Sequence, residues 1–253
     1  MSALIPPQHG AWAFLALPLA LGAAAAPADP VQVLLAVTWV VAYPWSYAAL
    51  GVSRPRVRRQ FLRPFAIWSV LLIPAALALW VARPWLVWIG LIYAALFAVN
   101  VAYARRRDER SLANGVVFIV ECAGIVPLMW AVAVGGRGWT VPPFGEAPAQ
   151  VWILTLVCLL VLTGSTLHVK SLIRERADPR YSRYSRAFAL ASVPAAVGLA
   201  WWWGLPAGWW LLVPFIVMLA RAYAVRQPIR AGLIGAVELL TFVLAAAAAF
   251  LAV

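Results

Sequence analysis

Charge is what this chain has least of. Only 11% of its 253 residues are Asp, Glu, Lys or Arg, and just eight of those are acids. Soluble domains carry about 25% charged residues and are roughly half apolar. Here the apolar share is 65% and the mean hydropathy is +0.90. So few charges cannot clothe a water-facing surface, which excludes an ordinary soluble domain and leaves lipid as the outer cover. Cysteine is scarce too. Cys122 and Cys158 both sit in apolar runs, which argues against a disulfide framework and for two buried thiols. Histidine occurs twice, as His9 and His168, with no Cys, Asp or further His at ligand spacing, so no metal set can be read. The N-terminus lacks the basic n-region of a cleavable signal peptide.

What is present is positive charge, unevenly placed. The net charge is +12 and the pI about 11.0, but no basic run is interleaved with aromatics in the manner of a nucleic-acid-binding motif. Eighteen of the twenty Lys and Arg residues fall in four clusters: Arg54 to Arg63, Arg105 to Arg110, Lys170 to Arg186 and Arg221 to Arg230. Only Arg83 and Arg137 lie elsewhere.

A membrane-spanning helix needs about 20 apolar residues, within a range of about 17 to 25. Nine stretches qualify: 10–26, 31–51, 65–82, 84–103, 112–134, 150–170, 187–203, 206–225 and 232–252. The weakest punctuation is Arg83-Pro84 between the third and fourth, and Gly204-Leu205-Pro206 between the seventh and eighth. With nine spans, the four basic clusters are the loops after spans 2, 4, 6 and 8, all on one side. Eight or ten spans would scatter them over both faces. The positive-inside rule then predicts an all-α integral membrane protein, a single polytopic domain over residues 1–253 with its N-terminus in the cytoplasm and its C-terminus outside. Trp85, Trp139, Trp152, Trp201 to Trp203, Trp209 and Trp210 fall near the predicted outer boundaries, as an aromatic belt requires.

Few residues can carry chemistry. Glu121 and Glu238 lie well inside spans, where a carboxylate costs about 2.5–3.5 kcal/mol on insertion scales and so faces the protein interior with a partner. Asn100 and Asn114 are candidate neighbours for Glu121, which reads equally as a proton-carrying acid and as a structural carboxyl. Glu238 reads as structural. His9 opens the first span and His168 ends the sixth, both at the predicted cytoplasmic end. If the sixth helix runs on by two turns, Lys170, Arg174 and Asp178 repeat every four residues along one face. Glu175 and Asp178 can then pair with neighbouring bases. A solvated helix end gripping lipid headgroups is one reading. The sharper one is a cytoplasmic pocket for an anionic ligand, because arginine forks suit phosphate. Arg54 across the membrane face, and Tyr103 beside Arg105 to Arg107, would complete its ring.

Two motifs resemble a known family. Pro7-Gln8-His9-Gly10-Ala11-Trp12-Ala13, followed by Leu17-Pro18-Leu19 and Gly22, and the block His168-Val-Lys-Ser-Leu-Ile-Arg-Glu-Arg, resemble the YwiC-like family of bacterial membrane proteins. More distantly, nine helices with functional loops after spans 2 and 6 resemble the plan of UbiA-type intramembrane prenyltransferases. That resemblance implies two Asp-rich motifs holding Mg²⁺ on a prenyl pyrophosphate. Here the end of span 2 has no acid, and the second motif would fall on Ser171, Arg174 and Asp178, of which only Asp178 is acidic. One carboxylate cannot hold the two hard cations, so the sequence argues against Mg²⁺-dependent prenyl transfer.

The reading that results is a multi-pass inner-membrane protein with a UbiA-like bundle and a basic, cytoplasm-facing cavity for an isoprenoid or anionic lipid. Its ligand-binding candidates are His9, Arg54, Asn100, Tyr103, Glu121, His168, Lys170, Arg174 and Asp178, with no metal and no cofactor. Membrane lipids are the partners implied; nothing points to nucleic acid or to a protein. The alternatives are a proton-coupled transporter using Glu121, and a haem- or quinone-associated redox subunit using His9 and His168.

Overall fold

The computed structural model describes residues 4–6, 9–225 and 230–253, with the side chain of His9 left out. Every regular element among them is helical. The order is α1 (His9–Ala25), α2 (Pro30–Val52), α3 (Arg58–Ala82), α4 (Leu86–Arg105), α5 (Leu112–Ala123), α6 (Ile125–Val134), α7 (Ala149–Val169), α8 (Pro179–Trp203), α9 (Val213–Ala224) and α10 (Ala231–Ala252). A π-helical turn, Lys170–Arg174, extends α7, and a 3₁₀ segment, Ala207–Leu212, leads into α9.

Seven helical segments are long and apolar enough to cross a membrane: α2, α3, α4, the α5–α6 run Leu112–Val134, α7 with its π turn, the run Ala207–Ala224, and α10. Helix α1 is apolar but shorter. Helix α8 begins eight residues before the expected start at 187, so Arg180, Arg183 and Arg186 lie in its first turns; it is not among the seven.

Local sequence explains most boundaries. Asp29 caps α2: its Oδ1 accepts from Val31 N at 2.7 Å, while Gln32 Oε1 accepts from Asp29 N at 3.2 Å. That reciprocal capping box, with Pro30 in the first turn, starts a helix without further help. The fifth expected span is two helices. Gly124 is a turn between them, and Pro127 has no N–H to offer the Ala123 carbonyl, which removes the bond that would have joined the two. Helix α8 ends at Gly204 with φ 105, a conformation in which any Cβ is strained.

The chain forms two compact units. The first is built on Ala26–Glu121 and Leu128–Glu146. Its centre is the α2–α3 hairpin, where Trp45 Nε1 donates to Ser69 Oγ at 2.9 Å and the Trp45 ring packs against Phe65 and Phe97. Gly51 lies directly under the ring of Phe61, leaving no room for a Cβ. Helices α3 and α4 turn most of their apolar side chains outward, Val70, Leu71, Ile73, Leu91 and Ile92 among them. A surface of that kind is stable against hydrocarbon and not against water.

Arg83, one of the two cations outside the clusters, is buried. Its Nε donates to Val132 O at 2.8 Å and its Nη2 to Asp29 Oδ2 at 3.2 Å. The exception to the charge bias is thus neutralised inside the protein. Trp85, expected in the aromatic belt, is fully buried, whereas Trp139, Trp201, Trp202, Trp209 and Trp210 are exposed.

The second unit comprises Gly10–Ala25, Cys122–Pro127 and Ala147–Val253. Helices α7 to α10 pack on one another as a four-helix bundle. Trp203, ending α8, donates to the carbonyl of Ala252, ending α10, at 3.0 Å. Those two helices are therefore parallel, and the ends of α7 and α9 lie at the opposite end of the bundle. Gly164 on α7 admits the sulfur of Met218 on α9. On α1, Phe14 meets Phe242 of α10 edge to face at 5.5 Å.

Candidate functional site

At the end of the bundle where α7 and α9 finish, three ionisable side chains meet in its interior. His168 lies in the last turn of α7, Arg221 in the last turn of α9, and Glu238 two turns into α10. His168 Nδ1 is 2.6 Å from Glu238 Oε1, and Arg221 Nη1 is ion-paired with Glu238 Oε2. Arg221 Nη1 also donates to Thr241 Oγ1 at 3.2 Å. All three are at least nine-tenths buried.

The Arg221 guanidinium, charged in proteins, is ion-paired with the Glu238 carboxylate, and a carboxylate only accepts. The hydrogen between Glu238 and His168 is then on Nδ1. His168 Nε2, and Nε and Nη2 of Arg221, have no hydrogen-bond partner among the described residues. Buried polar groups are nearly always satisfied, which makes this cluster a candidate binding site.

Beside the triad lies a cavity of about 250 Å³ lined by His168, Ser171, Arg176, Ser182, Ser185 and Arg186. Ser185 is buried. Arg186 stacks its guanidinium 5.6 Å from the centre of the Tyr223 ring, which orients the fork and leaves Nε without a partner. The geometry offers two cationic forks, three hydroxyls and one imidazole nitrogen around a small space whose other walls are Leu172, Ala222 and Val225.

The sequence-expected residues divide. Helix α7 does not run on for two turns. Glu175 N donates to Lys170 O at 2.8 Å, the wider spacing of a π turn, and the helix stops there. Asp178 therefore does not share a face with Lys170 and Arg174. Its Oδ1 accepts from Arg180 N at 2.9 Å and caps α8, a structural role that the following Pro179 reinforces. The π turn carries Lys170 inward, where it is buried, 5.5 Å from the Tyr181 ring centre and 3.9 Å from Glu175 Oε1. Arg174 is exposed. Neither lines the cavity. Arg176 and Arg186 from the same basic cluster do.

In the first unit, Asn100 Nδ2 donates to Glu121 Oε1 at 2.8 Å, and Tyr93 donates to the Glu121 carbonyl at 2.8 Å. Asn114 bonds instead to Glu109 O at 3.0 Å. Arg54 pairs with Glu109 at 3.1 Å. A groove along α4 is lined by Phe97, Val101, Arg105 and Arg106 but not by Tyr103. The side chain of His9 lies outside the described residues.

Arg221 is the candidate that sequence reading missed, and Glu238, read there as structural, is the carboxylate that pairs with it. A signal existed: by helix alternation, the end of α7, the end of α9 and the start of α10 share one face, so a His, an Arg and a Glu at those positions are within reach of one another.

Comparison with known proteins places the chain. Residues 5–130 match the family described as YwiC-like protein. A Bacillus subtilis protein described as "Uncharacterized protein YwiC" is 30% identical over 229 residues, covering 88% of this chain and 80% of that one. A Haemophilus influenzae protein described as "Uncharacterized protein" is 29% identical over 197 residues, covering 75% and 76% respectively. No solved structure matches. An all-helical, multi-pass membrane chain with this relative aligned along most of both lengths belongs to the YwiC-like family.

Proposed function

We propose that this protein crosses the inner membrane nine times, N-terminus in the cytoplasm, and binds an anionic lipid headgroup in the polar cavity of its second unit. Helices α1 and α8 supply the two crossings beyond the seven long apolar segments; the 17 residues of α1 are at the short end of what spans. With nine crossings the cavity opens towards the cytoplasm, on the side of all four basic clusters.

One observation carries the binding reading: the Arg176 and Arg186 side chains share a small cavity with the orphaned, carboxylate-anchored His168. Arginine forks match phosphate oxygens. A volume of about 250 Å³ is below the range of about 300–1,000 Å³ for sites that enclose drug-sized ligands. It fits a headgroup, with the acyl or isoprenoid chains left in the surrounding lipid. A macrocycle such as haem would not enter it. The resemblance to UbiA-type enzymes supports the general plan of an anion held beneath a lipid-embedded tail, and the missing carboxylates favour a binder over a Mg²⁺-dependent transferase.

Native mass spectrometry of protein released from nanodiscs tests this. Phosphatidylglycerol should be retained in preference to phosphatidylcholine, and Arg176→Gln with Arg186→Gln should abolish the preference. Equal retention of the two lipids by the unaltered protein would overturn the reading.

A further inference from the structure

The orphaned nitrogen of His168 says more about the ligand than its charge. Resting on the anionic-headgroup reading above, we propose that the cavity recognises a phosphate ester bearing a free hydroxyl, with the phosphate on Arg176 and Arg186 and the hydroxyl donating to His168 Nε2.

The argument follows from donor and acceptor accounting. Glu238 is a pure acceptor, so Nδ1 of His168 donates to it across 2.6 Å. A neutral imidazole with hydrogen on Nδ1 presents Nε2 as an acceptor. Arg221, Glu238 and a neutral His168 sum to zero charge in the interior. The cavity therefore pairs cationic donors with a ring nitrogen that asks for a donor from the ligand. A phosphate diester without hydroxyls offers acceptors alone: it satisfies the arginines and leaves Nε2 buried and unpaired. A hydroxyl-bearing ester satisfies both. The buried Ser185 Oγ can accept from a second hydroxyl or donate to a phosphate oxygen, so a polyol fits better than a single alcohol. Volume agrees: about 250 Å³ equals about eight waters at ~30 Å³ each, room for a phosphate and a three-carbon polyol.

Phosphatidylglycerol and phosphatidylmethanol separate the two halves of the proposal, because both carry one negative charge and only the first has hydroxyls. The probe is each lipid at equal mole fraction in nanodiscs, read by native mass spectrometry. The unaltered protein should favour phosphatidylglycerol by about tenfold, the ratio a well-made buried hydrogen bond supports. His168→Phe should bring the ratio close to one while both lipids remain bound. Ser185→Ala, a milder change that preserves the triad, should lower the ratio without abolishing it. Arg176→Gln with Arg186→Gln should weaken both lipids alike. Displacement of bound phosphatidylglycerol by soluble glycerol 3-phosphate would assign the same chemistry to a free ester, and its failure would assign it to the lipid. Equal affinity of the unaltered protein for the two lipids overturns the hydroxyl assignment and leaves the anion site standing. If neither lipid is preferred over phosphatidylcholine, the anion site itself is wrong.

Discussion

Glu238→Leu should be among the most damaging single changes in the second unit, and the reason is Arg221 rather than Glu238. The guanidinium is 3% exposed, and its partners are Glu238 and the Thr241 hydroxyl at 3.2 Å. Removing the carboxylate strands a buried cation, a loss of about 3–5 kcal/mol. For a chain of about this size, 1 kcal/mol shifts a melting midpoint by about 2–4 °C, so a fall of about 6–20 °C is expected. The double variant Arg221→Met with Glu238→Leu removes both charges and substitutes packing of similar volume, which is often neutral or better. It should recover at least half of the loss, the remainder reflecting the vacated Nδ1 of His168. The assay is thermal unfolding in one detergent, followed by size-exclusion recovery, on the parent, both singles and the double. A single Glu238→Leu variant as stable as the parent, or a double variant worse than either single, would refute the charge accounting.

Other expectations are simpler. A Cβ on Gly208 would lie within 3.0 Å of the Ala200 backbone, which cannot yield as a side chain can; Gly208→Ala should cost about 1–3 kcal/mol, read as a lower midpoint in the same assay. Arg83→Leu strands the Asp29 carboxylate and the Val132 carbonyl, and should destabilise the first unit by about 1–3 kcal/mol, whereas Arg137→Leu should change nothing measurable. Glu121→Gln retains an oxygen for Asn100 to bond, so folding should survive it. A proton flux that disappears in that variant would favour transport through the first unit over the reading given above. Single cysteines at Arg107 and at Gly145, in a chain with Cys122 and Cys158 replaced by Ala, should react with a membrane-impermeant maleimide from opposite faces; labelling of both from one face would sink the nine-crossing topology.

How much of this was legible beforehand varies with the length scale of the physics. The helical segments were readable because each is set locally, by its own apolar run and its own punctuation: Asp29-Pro30 at one start, Gly204 at one end, Arg83-Pro84 between two spans. The break at Gly124 was also local, written in Pro127, and a hydropathy pattern averages over it. The π turn after His168 left no such trace. A run that continues as α-helix and one that widens by a residue have the same composition, yet the choice decided that Lys170 turns inward, that Asp178 caps the next helix, and that Arg176 and Arg186 line the cavity.

Composition thus determines that the chain belongs in a membrane, because burying apolar surface is additive over residues; charge placement is additive in the same way, and the proposed orientation rests on it. Which charges meet is not additive. His168, Arg221 and Glu238 are separated by 53 and 17 positions in the chain, and only the packing of α7, α9 and α10 brings them within hydrogen-bonding distance. A buried carboxylate holding a histidine on one side and an arginine on the other is a property of three helices at once, and only the tertiary structure could decide it.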